Sequence, residues 1–354
     1  MASGDSSYSY YDYDYKESFT DKPLIPPCFM DSTAQVNQNV ISVVFLLVFA
    51  LDIMGNGLVI YVLSRKGSSW HISDHYLFQL AVSDLLLGLT LPFWITQFLH
   101  GWVFGLVPCK LLGALFTINM YSSIFFLVCI SLNRYLSVVL AVELHGKQRP
   151  IHTFIICALV WSTACMLSWQ ELYFRDVRYM GHVENAVCYY NFVPQQADTW
   201  RITLRLINLS LGFMVPLGLM TFFYSRIFCT LRQSRSNRSR RPQVVIVGLL
   251  LVFVLCWMPY NLLLFIDSLQ RLGFIERSCQ LEKMLDTAVT VTETMGLAHV
   301  CLNPFVYAFV GINFRKEIYK LFKRRSDPAR RMSVLSSRDG TVETEHNPSS
   351  SKIL

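Results

Sequence analysis

The fold class that the sequence predicts is an all-α membrane protein, a seven-transmembrane helix bundle with an eighth interfacial helix. Composition is the first observation. Of 354 residues, 53% are hydrophobic and 16% charged, against about 25% charged in ordinary soluble domains, and the mean hydropathy is +0.38. The second is arrangement. Apolar residues fall in seven blocks, at 40–63, 75–99, 110–140, 151–172, 202–231, 243–269 and 284–310. Each reaches the roughly 20 residues that cross a hydrocarbon core about 30 Å thick. None has the strict alternation of a barrel strand, and no long polar-faced helices exist that would bury them in a soluble protein. A typical soluble enzyme, a collagen, a disulfide-dense scaffold and a wholly disordered chain are excluded.

The segment 1–39 is an acidic tail: Asp5, Asp12, Asp14, Glu17, Asp21 and Asp31 stand against Lys16 and Lys22. Residues 1–21 hold no apolar core of a cleaved signal, so the first span is expected to act as its own insertion signal. Arg65 and Lys66 follow the first span, and Lys147 and Arg149 lie between the third and fourth. Arg232, Arg235, Arg238, Arg240 and Arg241 crowd the connector between the fifth and sixth. These basic connectors mark the cytoplasmic side, which puts the amino terminus outside. The net charge of +7 thus divides into an acidic outer tail and a basic inner face. An anionic inner leaflet accounts for that excess better than nucleic acid does. After the bundle, at 40–310, residues 313–325 set Phe314, Ile318, Leu321 and Phe322 at helical spacing among lysines and arginines, the pattern of a helix lying on the lipid surface. Residues 326–354 are polar, serine-rich and read as a disordered cytoplasmic tail.

Of the ten cysteines, Cys28, Cys109, Cys188 and Cys279 fall on the expected outer side. An even number in an oxidising space suggests two bridges, with three connectivities open. The other six lie within spans as small apolar fillers, and none has metal-ligand spacing with histidine.

Ionisable and strongly polar groups within spans are costly and therefore informative. Asp84 sits mid-span, Asn119 and Ser123 lie one turn apart in the third span, and Asn303 precedes Pro304 in the seventh. One carboxylate among neutral oxygens suits a small hard cation such as sodium; a hydrogen-bonded packing cluster without an ion is the competing reading. Pro92, Pro216, Pro259 and Pro304 each remove a backbone hydrogen bond within a span, and Trp257 stands beside Pro259. Four expected kinks around a polar cluster suit a bundle with two packings. Arg134, Tyr135, Tyr224 and Tyr307 share the inner depth, where snorkelling also accounts for an arginine. Glu293 lies about a turn inside the outer end of the seventh span, and Asp267 near the outer end of the sixth. With Trp94, Phe116 and Tyr121 they suggest an acidic, aromatic-lined cavity for a cationic ligand. Asp52 is an extra carboxylate in the first span that this reading does not explain.

Together the residues Gly55-Asn56, Leu80-Ala81-Val82-Ser83-Asp84, Arg134-Tyr135, Trp161, Cys256-Trp257-Met258-Pro259 and Asn303-Pro304-Phe305-Val306-Tyr307 resemble the rhodopsin-like G-protein-coupled receptors. Thr90-Leu91-Pro92-Phe93-Trp94, Trp102-Val103-Phe104-Gly105 and Glu293 resemble the chemokine receptors, in particular those for CXC-type chemokines. That resemblance implies bridges Cys109–Cys188 and Cys28–Cys279. It implies chemokine binding by Trp94, Trp102, Phe116, Asp267 and Glu293, and by the tail, where Tyr8, Tyr10, Tyr11, Tyr13 and Tyr15 alternate with Asp12 and Asp14 in a context similar to tyrosine-sulfation sites. It implies switching and G-protein coupling through Arg134, Tyr135, Tyr224, Trp257, Pro259, Asn303, Pro304 and Tyr307. The sodium ion that the oxygens of Asp84, Asn119, Ser123 and Asn303 suit would act as an allosteric ligand. No cofactor is required. The implied partners are CXC chemokines, inhibitory heterotrimeric G proteins, receptor kinases and arrestins, with membrane lipid around the bundle and no nucleic acid. The implied location is the plasma membrane, and the implied outcome is leukocyte migration.

Asn133 departs from the family, which usually has aspartate before the arginine, and so does 137–145. Both departures leave open an atypical receptor that scavenges chemokine with little G-protein signalling. A transporter predicts paired repeats, which the halves lack. An enzyme predicts a nucleophile with a base or a metal constellation, and neither stands out.

Overall fold

The computed structural model describes residues 38–66, 70–140, 150–179, 186–233, 240–276 and 278–310. The amino-terminal tail, the segment 141–149, the expected eighth helix and the carboxy-terminal tail lie outside them.

The first apolar block forms α1 (Gln38–Ser64). The second is divided into α2 (Ile72–Gly88) and α3 (Leu91–His100). Pro92 occupies the first turn of α3, where a missing N–H costs nothing, and the Thr90 hydroxyl donates to the Leu87 carbonyl at 2.7 Å. The expected kink is therefore a break. The third block forms α4 (Leu106–Val138) without interruption. The fourth divides into α5 (Pro150–Leu167) and α6 (Trp169–Phe174) and runs into a hairpin of β1 (Arg175–Tyr179) and β2 (Ala186–Tyr190). The strands pair antiparallel, with Val177 opposite Cys188.

The fifth block is α7 (Ala197–Leu209), a single π turn at Ser210–Met214, and α8 (Val215–Gln233). The wider turn absorbs the lost donor of Pro216, which sits in the first turn of α8. The sixth is α9 (Arg240–Arg271), with Pro259 inside it. The seventh divides into α10 (Cys279–Leu297) and α11 (His299–Val310). The interruption falls at Ala298, six residues before Pro304, where the proline alone had predicted it. Pro304 cannot donate to the carbonyl of Val300, and Asn56 of α1 does so instead, at 2.9 Å.

Among the described residues six helical stretches are long and apolar enough to cross a membrane; the seventh is cut at Ala298 and carries more polar residues. Phe154, Leu255, Met214 and Leu47 are more than half exposed. Apolar surface on that scale suits lipid and not water, while the helices satisfy their own backbone groups. The main core joins α1, α2, α4, α5, α8 and α9 around Leu80, Phe126, Ile130, Met220, Leu249 and Trp257. A second core packs α1 against α2, α3, α10 and α11. A third, around Trp102 and the Cys109–Cys188 disulfide, closes one end of the bundle, called here the disulfide end.

Candidate functional site

At the disulfide end Cys109 of α4 is bonded to Cys188 of β2, with Cα atoms 5.7 Å apart. The bridge fixes the hairpin over the bundle, and Gln97 of α3 reinforces it by accepting from the Cys188 amide at 3.1 Å. Cys279 is disulfide-bonded as well; Cys28, the partner that the resemblance implies, lies outside the described residues.

The break at Ser168 decides what the hairpin carries. Ser168 turns its hydroxyl back to the Cys165 carbonyl, and α6 then places Glu171 and Arg175 four residues apart, on facing positions across the start of β1. Glu171 is 2% exposed. It accepts from Thr117 of α4 at 2.6 Å, from the Tyr190 hydroxyl and from Arg175 Nε. The pair needs Gly113 of α4: a Cβ there would stand 2.1 Å from Arg175 Nε and 2.8 Å from Glu171 Oε2. The Arg175 guanidinium lies 5.3 Å from the Trp94 ring and 4.8 Å from the Tyr190 ring. Burial works against its charge, yet the Glu171 carboxylate raises its pKa above the ordinary arginine value. Burial first, and then Glu171, push the Tyr190 phenol well above its ordinary value. Tyr190 therefore stays protonated and donates.

Glu293 of α10 is half-buried and takes no hydrogen bond or ion pair from the described residues. The charges that act on it are those of Arg175 and Glu171, and Tyr260 of α9 belongs to the same electrostatic group. Asp267 differs. Arg205 of α7 pairs with it, and Arg271 does so at 2.8 Å while also reaching Asp198 at 2.7 Å. Its charge is met within the protein, so that of the two carboxylates only Glu293 lacks a partner among the described residues.

Aromatic rings descend from this end towards the middle. Trp102 is 2% exposed, donates to the Gly105 carbonyl at 2.7 Å and lies 5.5 Å from Trp94. Gly101 and Gly105, both at φ 79°, supply the left-handed turns on either side of it. Phe116 of α4 touches the two larger cores and meets the Trp257 ring edge-on at 6.1 Å. Trp257, beside Pro259, also packs on Tyr260 and His299, and its Nε1 is buried without a partner.

Below it, Asp84 Oδ1 accepts from Asn119 at 3.1 Å and Ser123 at 3.2 Å, and Oδ2 from Asn303 at 2.8 Å. The four residues that the sequence grouped across three spans thus meet at the Asp84 carboxylate. At the far end Asn133 donates to Ser73 of α2 at 3.1 Å. Arg134 Nε is buried without a partner. Tyr224 meets Ser131 at 3.0 Å, and Tyr135 packs on Phe222 and Phe223 of α8. Tyr307 belongs to α11, with its side chain outside the described residues, as are Tyr8, Tyr10, Tyr11, Asp12, Tyr13, Asp14 and Tyr15.

The sequence reading passed over Glu171, Arg175, Thr117, Tyr190 and the arginines facing Asp267. Glu171 carried a signal, since it lies inside the fourth apolar block and an acid there calls for a partner; Arg175, four residues on, is that partner.

Residues 55–307 match the family described as 7 transmembrane receptor (rhodopsin family). The C-X-C chemokine receptor type 3 of Bos taurus is 38% identical over 320 residues, covering 90% of this chain and 86% of the relative. The C-X-C chemokine receptor type 1 of Pongo pygmaeus is 38% identical over 317 residues, covering 88% and 89%. The human C-X-C chemokine receptor type 2 is 38% identical over 305 residues, covering 84% and 83%. Identity is level across the three types.

Proposed function

The chain belongs to the rhodopsin family of seven-transmembrane receptors and, within it, to the chemokine receptors; from that membership we propose that it is a plasma-membrane receptor for CXC-type chemokines, signalling through inhibitory G proteins to direct leukocyte migration. It has its amino terminus and its disulfide end outside. The observation that carries the ligand class is Glu293, a half-buried carboxylate without a partner among the described residues, in the electrostatic reach of Arg175, which itself lies over the Trp94 and Tyr190 rings. A cationic chemokine segment is the matching chemistry. The acidic tail, with Tyr8, Tyr10, Tyr11, Tyr13 and Tyr15 as sulfation candidates, steers a basic chemokine towards it.

Contact at Glu293 biases the packing of Phe116 on Trp257, and the bias passes to the opposite face through α9 at Pro259 and through α11 at Asn303, Pro304 and Tyr307. There Arg134, Tyr135 and Tyr224 receive the G protein. Phosphorylation of Ser333, Ser336, Ser337, Thr341 and Thr344 by receptor kinases then attracts arrestins. A sodium ion fits the Asp84 cluster, because Asn119 Oδ1 is a buried acceptor with no donor alongside the Asp84 carboxylate and the Ser123 hydroxyl. The ion would hold the resting packing by neutralising Asp84.

The test is a panel of CXC chemokines on cells expressing the chain, with binding, uptake and G-protein activation read together. Binding and activation by one or more CXC chemokines are expected, and Glu293→Gln is expected to reduce activation more than capture. Binding with uptake but no activation makes the chain a scavenger, the reading to which Asn133 points. No binding of any CXC chemokine overturns the ligand class.

A further inference from the structure

Two carboxylates at the disulfide end, Glu171 and Glu293, are acted on by one cation, Arg175. Glu171 is fully engaged by it and by the hydroxyls of Thr117 and Tyr190. Arg175 Nη1 meets the Cys188 sulfur at 3.7 Å, and the guanidinium lies over the Trp94 and Tyr190 rings. A carboxylate beside aromatic faces is the arrangement by which proteins recognise an arginine of a partner; here the guanidinium comes from the chain itself. The backbone holds it there. Arg175 pairs with Tyr190 across the hairpin, the Asn191 amide donates to the Phe174 carbonyl at 2.7 Å, and the disulfide pins β2 at Cys188, two residues before Tyr190.

Glu293 takes no hydrogen bond or ion pair from the described residues. The three formal charges sum to one negative charge, and Glu293 is the group left to express it. We propose that Arg175 is a specificity-determining residue, a built-in cation that closes the seat at Glu171, so that a ligand segment entering at this end finds one carboxylate for one positive charge and gains nothing from a second. The inference rests on the reading of Glu293 as the carboxylate that meets a cationic ligand, and adds the number of charges that the site takes. Without Arg175, the Glu171 carboxylate and the Trp94 and Tyr190 rings form a second cation seat, within electrostatic reach of Glu293.

The probes are capped peptides that carry one arginine, or two arginines separated by a short run of glycines. Each is titrated against the purified full-length chain in detergent while the melting temperature is followed. The native chain is expected to take both kinds with half-saturating concentrations within about threefold of each other. Arg175→Gln keeps a donor for Glu171 and empties the guanidinium seat. It is expected to take a two-arginine peptide at about a tenth of the concentration needed for a one-arginine peptide, or less, through one added charge-assisted bond. Glu171→Gln together with Arg175→Gln abolishes that preference. Methylguanidinium chloride, titrated against tetramethylammonium chloride at constant ionic strength, raises the melting temperature of Arg175→Gln by refilling the seat and leaves that of the native chain unchanged. An ion pair with a structural role alone changes stability and not the preference between peptides. An Arg175→Gln chain that takes both kinds equally overturns this proposal alone, and so, with no variant needed, does a native chain that already prefers two arginines about tenfold. If no peptide stabilises either chain, the reading of Glu293 as the ligand carboxylate falls, and this inference with it.

Discussion

Replacing Arg175 by Met isolates the worth of the ion pair at the disulfide end. The Arg175 side chain is 14% exposed and that of Glu171 2%, so solvent screens the pair little. Deleting one partner of a buried pair costs about 3–5 kcal/mol, because the other charge stays behind unpaired. Here Glu171 keeps two hydroxyl donors, Thr117 and Tyr190, each worth about 1.5–3 kcal/mol to a charged acceptor. That places the loss at the lower end, about 3 kcal/mol, or roughly a hundredfold in the folding equilibrium. The stack on Trp94 and Tyr190 adds about 0.5–2 kcal/mol, most of which the methionine recovers by its own packing. Glu171→Gln together with Arg175→Met removes both charges and should restore most of the stability, since neutral replacements of buried pairs are often harmless. The assay is a denaturing-detergent titration of the purified receptor in mixed micelles, followed by tryptophan fluorescence. If the single variant unfolds with the native chain, or the double variant is no better than the single, the account of Glu171 as a charge that requires Arg175 is refuted.

Asn133→Asp sets a carboxylate beside Arg134, whose Nε has no partner; basal nucleotide exchange on inhibitory G protein in membranes should fall, and an unchanged rate contradicts the view that this end is loosely held. Cys109→Ser opens a loop of sequence separation 79, a loss of about 4–5 kcal/mol on chain entropy, so surface staining should drop against total expression. Gly55→Ala puts a Cβ 2.7 Å from Pro304 Cγ, whereas Gly57→Ala meets nothing within 4 Å. The first should destabilise by about 1–3 kcal/mol of overpacking and the second should not; equal melting temperatures contradict the close approach of α1 to α11.

Hydropathy located all seven spans because a bilayer imposes one length on every crossing, and α4 and α9 agree with their predicted blocks to within about four residues at each end. The Asp84 cluster was legible for a related reason: polar groups are so costly at that depth that four of them at matching heights must meet. Breaks in the helices were less legible. A proline announces a lost hydrogen bond, and it does not say whether the chain answers with a kink, a π turn or a new helix start. Pro92 lies in the first turn of a new helix, Pro216 follows a π turn, and Pro259 stays inside an unbroken α9. The Glu171–Arg175 pair escaped because it straddles the end of the fourth block, where hydropathy falls and an ionisable residue reads as belonging to the water.

Small residues explain what the polar ones alone leave obscure. Asp52 in the sequence is an unaccounted charge, and it becomes intelligible only with Gly88, where a Cβ would stand 1.8 Å from Asp52 Oδ2. Arg175 and Glu171 likewise require Gly113. In each case a buried charge on one helix is matched by a missing side chain on its neighbour, because a packed interior has no spare volume for a carboxylate or a guanidinium. Such a match is a property of two positions far apart in the chain, here 36 residues for Asp52 and Gly88 and 62 for Gly113 and Arg175, and neither hydropathy nor helical periodicity registers it. The Pro304–Asn56 relation has the same form: a carbonyl freed on α11 is met by an amide from α1. The polar seam between α1, α2 and α11 is thus assembled from complementary departures, and a movement of α11 at Asn303 must disturb the Asn56 bond and the Asp84 cluster together. That coupling is the physical reason for expecting an ion at Asp84 and the packing of the bundle to control one another.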